Sequence, residues 1–464
     1  MDYNWIVTED FFERIDSVPY KKIYKDLSIK LRKNKVEKLN SICELVKCGP
    51  FGSTVLADTY SNDGVLYLRP VNISDNKFSD RDITFLSEND VLEKKLDLFS
   101  SNDLFFARVG NPSVSKVNSI YNKVTISPNI VGVKVGDRID SDYLWMFLSS
   151  KYGLFQLERM LKTVAQPTTS TETIKEIDVL IANENIQKYI GDKVREAEQL
   201  NLDIKKIQDE VSYMINSQLG LHVLDEKFTQ INEKFLWVNS QDLEERMDAK
   251  QYSAKVNIIN NYFRKKKSVK LSECLSYYSR GKSNYETIPE DVFLIKTKNL
   301  KNSYIEFYEN YDINFKCKNE NSLYLNEKDI IIATMGVGSL GKVDMFYPKG
   351  IEAMVDGTLA ILRFKDDSIL KPGYLMEFLR TEVGQTLIYR NIVGSTGIIS
   401  ISLENILNLD IPLLEENIQN IIDEKVCMKL KDIYLSKKLL TEAMKDVEDL
   451  IEGNFDMSKI KETN

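Results

Sequence analysis

The sequence has few of the residues that metal sites and disulfide frameworks require. Its 464 residues include one histidine, His222, and five cysteines without a Cys-x-x-Cys pair. Zinc sites need clusters of Cys and His, and disulfide frameworks belong mainly to small secreted domains. We therefore predict no metal site, no disulfide, a reducing cytoplasm and a partly buried, non-catalytic His222 at a helix end. The cysteines are Cys43, Cys48, Cys274, Cys317 and Cys427.

Long apolar runs and prolines are also scarce. No window approaches the ~20 apolar residues of a membrane-spanning helix, and the stretch from Met1 to Asp16 lacks the basic and apolar regions of a signal peptide. Only ten residues are prolines, whereas 43% are hydrophobic and 10% aromatic, so the chain has ample apolar surface for folded cores. Its length suits two or three domains of roughly 150 to 200 residues.

The charge of the chain argues against a surface that attracts phosphate everywhere. The formal net charge is −8, and the basic residues are concentrated in two runs, 21–38 and 264–270. Each run is equally compatible with a solvated helix face and with a local phosphate-binding patch. Charge alone therefore leaves nucleic-acid binding open.

The most informative feature is an internal repeat with an offset near 232 residues. Trp5, Glu13, Arg14, Asp16, Tyr20 and Leu39 recur as Trp237, Glu245, Arg246, Asp248, Tyr252 and Leu271. The offset then shrinks to 226 or 227, as a loop deletion would cause, where Asn72, Asp103 and Gly110 match Asn299, Asp329 and Gly336. It recovers to 231 where Tyr143, Leu144 and Gly153 match Tyr374, Leu375 and Gly384. The run Glu-Asn-Ile-Gln at 184–187 returns unchanged at 416–419. Chance does not preserve this order, so we predict two copies of one module.

Each copy begins with mixed structure and ends in a long helix. Strand-like runs are Val65–Leu68, Leu104–Ala107, Phe293–Lys296 and Ile330–Ala333. The two helices carry apolar residues at steps of three and four or their sum, as in a coiled-coil seam. These are Ile190, Ala197, Leu200, Ile204, Ile207, Val211 and Met214 in the first helix and Val426, Ile433, Leu440, Ala443, Val447 and Leu450 in the second.

The length of these helices favours pairing over the alternative, an amphipathic helix packed on its own domain. At about 35 residues each would be ~50 Å long, more than one such domain covers. We predict an α+β fold of two pseudo-symmetric mixed α/β domains joined by two long helices that form an antiparallel coiled coil. The predicted boundaries are 1–183 for the first domain, 184–222 for the first helix, 223–415 for the second domain and 416–455 for the second helix.

One glycine pattern invites an enzymatic interpretation. Gly336, Gly338 and Gly341 form Gly-x-Gly-x-x-Gly after a strand-like run, as in dinucleotide or S-adenosylmethionine loops. The residues that follow do not begin a helix, so no helix N-terminus would face a pyrophosphate. We predict a β-hairpin turn. No P-loop occurs, nor the acidic or amide residue beside Pro-Pro and an aromatic that base methylation requires.

Polar residues at strand ends are the candidates for DNA contact. Arg69, Asn72, Lys296 and Asn299 have side chains that read guanine or adenine edges. Arg108, Lys116 and Lys342 are candidates for phosphate contacts. Ser53, in the run CGPFGS, and Lys282, in the run SYYSRGKS, are further candidates for DNA contact. For each asparagine the alternative is a hydrogen bond to its own turn backbone.

Taken in order, these runs resemble a type I restriction-modification specificity subunit over nearly the whole chain. The likeness is carried by CGPFGS, LYLRPVNI, DLFFARVG with DIIIATMG, YLWMFL with YLMEFL, and IDVLIANENIQKYI with LDIPLLEENIQNII. Each run is degenerate alone, but the duplicated order is specific. The sequence departs from the pattern where SYYSRGKS stands for VKCGPFGS and where ANEN replaces the proline of LDIPLLEEN.

The resemblance implies a non-catalytic protein with two target-recognition domains that read different halves of a split, asymmetric site in double-stranded DNA. It also implies that the helices set the distance between the halves and dock two modification subunits, and that motor-nuclease subunits join the complex. S-adenosylmethionine, Mg and ATP would belong to those partners. The alternatives are a specificity subunit of a type II or other phage-defence methyltransferase system, a coiled-coil scaffold with protein- or sugar-binding ends, and a methyltransferase using the glycine pattern.

Overall fold

The computed structural model describes residues 17–161, 167–231, 237–238, 243, 248–282, 292–307, 324–347, 350–394 and 399–461. Trp5, Glu13, Arg14, Asp16, Glu245, Arg246 and Cys317 lie outside these ranges. The chain divides into two compact units, unit 1 with residues 1–200 and 435–464 and unit 2 with residues 201–434. Both combine helices and sheets, so the predicted α+β class is confirmed.

The described helices include two long ones, α7 with 36 residues and α13 with 37. None of the described helices is long and apolar enough to cross a membrane. In chain order they are α1 Lys22–Arg32, α2 Leu39–Ile42, α3 Glu88–Glu93, α4 Ser141–Ser149, α5 Lys151–Met160, α6 Thr171–Lys175, α7 Glu184–Leu219, α8 His222–Thr229, α9 Ala254–Phe263, α10 Pro372–Arg380, α11 Glu382–Tyr389, α12 Leu403–Leu407, α13 Glu416–Glu452 and α14 Ser458–Lys461.

The described strands are short, and three of the four predicted runs coincide with β4, β8 and β16, while the fourth is shifted by one residue from β15. They are β1 Val36–Lys38, β2 Leu45–Cys48, β3 Tyr60–Ser61, β4 Val65–Leu68, β5 Ile73–Ser74, β6 Lys77–Phe78, β7 Phe85–Leu86, β8 Leu104–Ala107, β9 Ser113–Ser115, β10 Val124–Ile126, β11 Ile130–Lys134, β12 Asp178–Leu180, β13 Ser268–Lys270, β14 Leu275–Arg280, β15 Val292–Ile295, β16 Ile330–Ala333, β17 Val343–Met345, β18 Glu352–Val355, β19 Leu359–Phe364 and β20 Asp410–Pro412.

Both units use the same strand topology. In unit 1 an antiparallel sheet has the order β2-β11-β8-β9, β10 runs parallel to β4, and β1 pairs with β12. In unit 2 the order is β14-β19-β16-β17, β15 runs parallel to β18, and β13 pairs with β20. Strand orders that agree, including an uncommon parallel pair, confirm that the sequence contains two copies of one module.

Buried hydrogen bonds explain why certain residues recur in both copies. The Gln187 side chain accepts from the Asp140 N–H at 2.9 Å and donates to the Ala182 carbonyl at 2.8 Å. Gln419 makes the corresponding bonds, accepting from the Lys371 N–H at 3.1 Å and donating to the Leu414 carbonyl at 3.0 Å. A buried amide without partners would be costly, so the repeated glutamine holds the start of the long helix to its own domain.

The long helices pack against each other in both units, and in each unit they are antiparallel. In unit 1 the Lys193 ammonium lies 2.6 Å from the Asp446 carboxylate, and the Ser436 hydroxyl donates to the Ala197 carbonyl at 3.2 Å. In unit 2 the Lys429 ammonium donates to Gln208 at 2.6 Å, and Lys425 lies 2.6 Å from Glu210. Residue numbers fall along α13 as they rise along α7, as an antiparallel pair requires.

The same helices also complete the core of each unit. Ile190 and Val194 of α7 and Val447 of α13 belong to the main core of unit 1, and Val211 and Val426 belong to that of unit 2. Every residue of the predicted seam is buried or half-buried. Pairing and packing on the domain were alternatives at the level of sequence, and the structure combines them.

Polar groups are buried where the helices meet the domain of unit 2. Lys429 of α13 is 1% exposed and donates to Glu377 of α10 at 2.5 Å. Arg380 donates to the same carboxylate at 2.8 Å. Burial lowers the pKa of Lys429. Burial alone would raise the pKa of Glu377, but the positive charges of Arg380 and Lys429 outweigh the effect of burial, so the pKa of Glu377 lies below its usual value.

We predict that Lys429→Ala strongly destabilises unit 2. The change removes a buried cation and leaves the Gln208 oxygen and part of the Glu377 charge unpaired, which costs about 3 kcal/mol. The thermal unfolding midpoint should fall by roughly 6 to 12 °C for a unit of this size. The control is Lys431→Ala on the exposed side of α13, and equal midpoints for the two variants would contradict the prediction.

Candidate nucleic-acid interface

The ends of two strands converge in unit 1 on the loop 127–129. The Ser127 N–H donates to the carbonyl of Leu68, the last residue of β4, at 2.9 Å. The Arg108 N–H, directly after β8, donates to the Asn129 carbonyl at 2.9 Å. The loop therefore brings Arg69, which follows β4, and Arg108 to the same edge of the unit.

The guanidinium groups of both arginines are held by backbone carbonyls. Arg108 donates from Nη1 to Pro128 at 3.1 Å and from Nε to Thr169 at 3.4 Å. Arg69 donates from Nη2 to the Asp82 carbonyl and lies 5.7 Å from the centre of the Tyr60 ring. Both side chains are half-buried, so each presents an oriented positive charge at the strand ends.

The loop 49–53, which we call the Gly49 loop, crosses the same edge. The Gly49 N–H donates to the Ile130 carbonyl at 3.1 Å, and a Cβ at Gly49 would lie 2.2 Å from the Ser127 carbonyl oxygen. Only glycine permits this close approach. Ser53, at the end of the loop, is exposed.

Unit 2 repeats this backbone framework. The Asp356 N–H donates to the Ile295 carbonyl at 3.0 Å, the Thr334 N–H to the Thr358 carbonyl at 2.9 Å, and the Gly281 N–H to the Leu359 carbonyl at 3.0 Å. A Cβ at Gly281 would lie 2.1 Å from the Val355 carbonyl oxygen. Gly281 therefore occupies the place of Gly49.

The side chains on this framework differ between the units. Where unit 1 has Arg108, unit 2 has Thr334, which is buried and donates its hydroxyl to the Thr358 carbonyl at 2.9 Å. Lys282 is exposed and lies beside Asp356, and Lys296 is half-buried at the end of β15. The same backbone thus carries different hydrogen-bonding groups in the two units.

The asparagines proposed from the sequence to read adenine have structural roles. Asn72 is fully buried, accepts from the Arg69 N–H at 3.1 Å and donates to the Ser79 and Arg81 carbonyls at 3.2 and 2.9 Å. Asn299, 1% exposed, accepts from the Lys296 N–H at 2.9 Å. These bonds correspond to the alternative interpretation, in which the asparagine stabilises its own turn.

The two lysines proposed to hold phosphates differ in accessibility. Lys116 is 5% exposed, its ammonium is bonded to Asp142 of α4, and it lies 3.9 Å from Glu198 of α7. A phosphate contact would require this buried pair to break, which is costly. Burial also raises the pKa of Glu198. Lys342 is half-buried beside the β16–β17 hairpin.

The glycine pattern and His222 have structural explanations. Gly336, Gly338 and Gly341 all have positive φ angles, of 102°, 75° and 84°, and form the turn between the antiparallel strands β16 and β17, which confirms the predicted hairpin. His222 is the first residue of α8, as expected, but it is exposed, so its predicted partial burial is wrong.

Within the described residues no group of three or more His, Cys, Asp or Glu is arranged to hold a metal ion. Cys43, Cys48, Cys274 and Cys427 are free thiols.

Sequence reasoning missed several residues at these edges. Gly49 and Gly281 set the loop position, and the constant offset of 232 residues would have aligned them. Arg280, whose guanidinium donates to the Ile401 carbonyl, precedes Gly281. Phe51 at the tip of the first loop is 88% exposed, a property that the sequence CGPFGS does not reveal.

We predict that Gly49→Ala destabilises unit 1 and displaces the loop. The new methyl group would overlap the Ser127 carbonyl, and overpacking of this kind costs about 1 to 3 kcal/mol. Gly52→Ala is the matched control, because nothing lies within 4 Å of its Cβ position. Thermal unfolding of both variants tests the contact, and equal midpoints would show that the close approach is not required.

No family model matches the chain, and no curated protein matches it. Among solved structures it is similar to a type I restriction-modification system S subunit from M. genitalium, with 12% identity, a TM-score of 0.48, and 91% of this chain and 96% of that chain covered. A chain from a study of complex assembly in the type I system covers 91% and 98%, and the HsdS subunit of Thermoanaerobacter tengcongensis covers 91% and 97%, each with 12% identity and a TM-score of 0.29. Each likeness extends over most of both chains at low identity.

Proposed function

We propose that this chain is the DNA specificity subunit of a type I restriction-modification complex. The observation that carries the proposal is the same strand-end framework in both units with different side chains on it. Arg108 of unit 1 and Thr334 of unit 2 occupy equivalent backbone positions. Two such edges would read two different half-sites, so the DNA target would be split and asymmetric. The duplicated sequence order of the family supports the same conclusion.

The proposed DNA contacts in unit 1 come from Arg69, Arg108 and Ser53. Arginine presents five N–H donors, and the described carbonyl bonds of Arg108 use only Nε and Nη1. A guanidinium already held in place loses little freedom when it binds a phosphate or a guanine edge. In unit 2 the proposed contacts come from Lys282, Lys296 and Lys342. Asn72, Asn299 and Lys116 serve the scaffold.

In this proposal the chain recognises DNA and catalyses nothing itself. The glycine pattern forms a hairpin turn, which offers no helix N-terminus to a nucleotide. Two modification subunits would supply S-adenosylmethionine chemistry, and motor-nuclease subunits would supply ATP- and Mg-dependent steps, in the cytoplasm. The domain boundaries expected from the sequence belong to the same proposal.

The two long helices are proposed to set the spacing between the half-sites and to dock the modification subunits. A helix of 36 residues is roughly 54 Å long. Half-sites on one face of B-DNA recur about every 34 Å. Helices of this length therefore match the scale of the distance that a split site requires.

The proposal predicts that deleting the gene removes one bipartite methylation motif from the host genome. Reintroducing the wild-type chain should restore the motif, because recognition resides in this chain and catalysis in its partners. Arg108→Ala should weaken or relax recognition in one half-site only, since each half is read by one unit. Methylome sequencing of the parent, deletion, complemented and Arg108→Ala strains measures these outcomes. An unchanged set of motifs after deletion would exclude the function.

A second prediction concerns spacing. Inserting four residues after Leu200 in α7 and after Tyr434 in α13 adds about 6 Å to each helix and a little over one turn. Because both helices lengthen together, their seam should stay close to register, and the spacer of the methylated motif should change while both half-sites stay the same. A methylome with the original spacer would reject the helices as the spacing element.

A further inference from the structure

An exposed phenylalanine stands at the strand-end edge of unit 1. Phe51 is 88% exposed, and every other phenylalanine among the described residues is buried or half-buried. Single exposed apolar side chains are common, so exposure alone has little meaning. The surroundings of Phe51 give it significance.

The loop that carries Phe51 is fixed on both sides. Before it, Gly49 is bonded to the Ile130 carbonyl and lies against Ser127. After it, the Thr54 N–H donates to the Phe51 carbonyl at 2.9 Å, and Val55 is 7% exposed in a small core with Tyr67. The ring is therefore presented to solvent by a backbone that is held in place at both ends.

Other groups at the same edge have the character of a nucleic-acid surface. Arg69 lies over the Tyr60 ring at 5.7 Å, and Tyr60 is 36% exposed. Arginine interleaved with exposed aromatic rings is typical of surfaces that bind bases and phosphates together. Within the described part of the chain, Arg69 Nε and Ser127 Oγ are buried without a hydrogen-bond partner, which is rare in native proteins. The strand-end edge that the Gly49 loop crosses thus carries an arginine stacked on an aromatic ring and buried polar atoms without partners.

We propose that Phe51 contacts DNA directly, and that its ring packs against the bases of the half-site bound by unit 1. The inference rests on the proposed function, because it requires DNA at the strand-end edge. An aromatic ring contributes by stacking on bases, by insertion between base pairs or by contact with thymine methyl groups. Unit 2 has Lys282 directly after Gly281 where unit 1 has Pro50 after Gly49, so the loops that follow the two glycines differ in sequence.

The test compares Phe51→Ala with the wild-type chain in the complete methyltransferase complex. Binding is measured to three duplexes: one with the motif found by methylome sequencing, one altered in the first half-site and one altered in the second. Removing the ring should weaken binding to the intact motif by about ten- to a hundredfold. Discrimination should fall at one half-site and stay unchanged at the other. Phe51→Tyr, which keeps the ring, should bind nearly as well as the wild type.

Leu92→Ala is the matched control. Leu92 is 71% exposed on α3, the helix in which Glu88 bonds Lys123, and it is not one of the residues proposed to contact DNA. This control should leave binding to all three duplexes unchanged, and thermal unfolding of Phe51→Ala should match the wild type because the ring is exposed.

The two proposals fail in different ways. If the wild-type complex discriminates at both half-sites while Phe51→Ala binds within twofold of it, the role of Phe51 is wrong and the proposed function stands. Equal loss of discrimination at both half-sites in Phe51→Ala would also overturn a local role. If the wild-type complex discriminates at neither half-site, both proposals are wrong.

Discussion

The packing of α7 against α13 is the constraint on which both units depend. Neither unit closes its core without a segment of each long helix. In unit 1 the core includes Ile186 and Ile190 of α7 together with Ala443, Val447 and Ile451 of α13. Residues 435–464 therefore belong structurally with residues 1–200, although more than two hundred residues separate them in the sequence. The first unit is complete only when the last helix is in place, so its formation depends on contacts of high sequence separation.

Comparison of the two copies distinguishes buried residues that are the same in both from strand-end side chains that differ. Gln187 and Gln419 make equivalent bonds at the helix starts, and the hydroxyls of Tyr143 and Tyr374 donate to the Leu180 and Pro412 carbonyls at 3.0 and 2.6 Å. All four are buried. A buried polar group that loses its partner is costly, which explains why such residues recur in both copies. At the strand ends the backbone bonds recur and the side chains do not, because these bonds are made by main-chain groups that any residue supplies.

Much of the fold was predictable, because it depends on local patterns and on the repeat. Runs such as Ile330–Ala333 are continuous apolar segments of strand length, and Gly336, Gly338 and Gly341 mark a turn that requires positive φ angles. The helix pair followed from the spacing of its apolar residues. The division into units was less accessible, because the role of residues 435–464 in unit 1 depends on tertiary packing that sequence order does not reveal.

The candidate site was predictable in position but not in detail. The sequence located the strand ends, but a side chain's suitability for DNA depends on what already occupies its hydrogen-bonding groups. Asn72 is saturated by the Arg69, Ser79 and Arg81 backbone, and Lys116 meets Asp142, which lies 26 residues further along the chain. Neither partner is apparent from composition or periodicity. The 232-residue offset pairs Gly49 with Gly281, but the reason for both glycines, the close approach of the main chain at Ser127 and at Val355, depends on tertiary structure.

The negative charge of the chain is compatible with DNA recognition when orientation contributes more than net charge. A protein with a formal charge of −8 gains little from long-range attraction to phosphates, so contacts must be efficient individually. Arg108 is held by the Pro128 and Thr169 carbonyls before any ligand binds, and pre-organised donors lose less entropy on binding than mobile lysines. Partner subunits that add phosphate contacts would then raise affinity without altering which bases are read. Separation of affinity from specificity in this way would require the strand-end edges to be rigid, and the backbone bonds shared by the two units provide that rigidity.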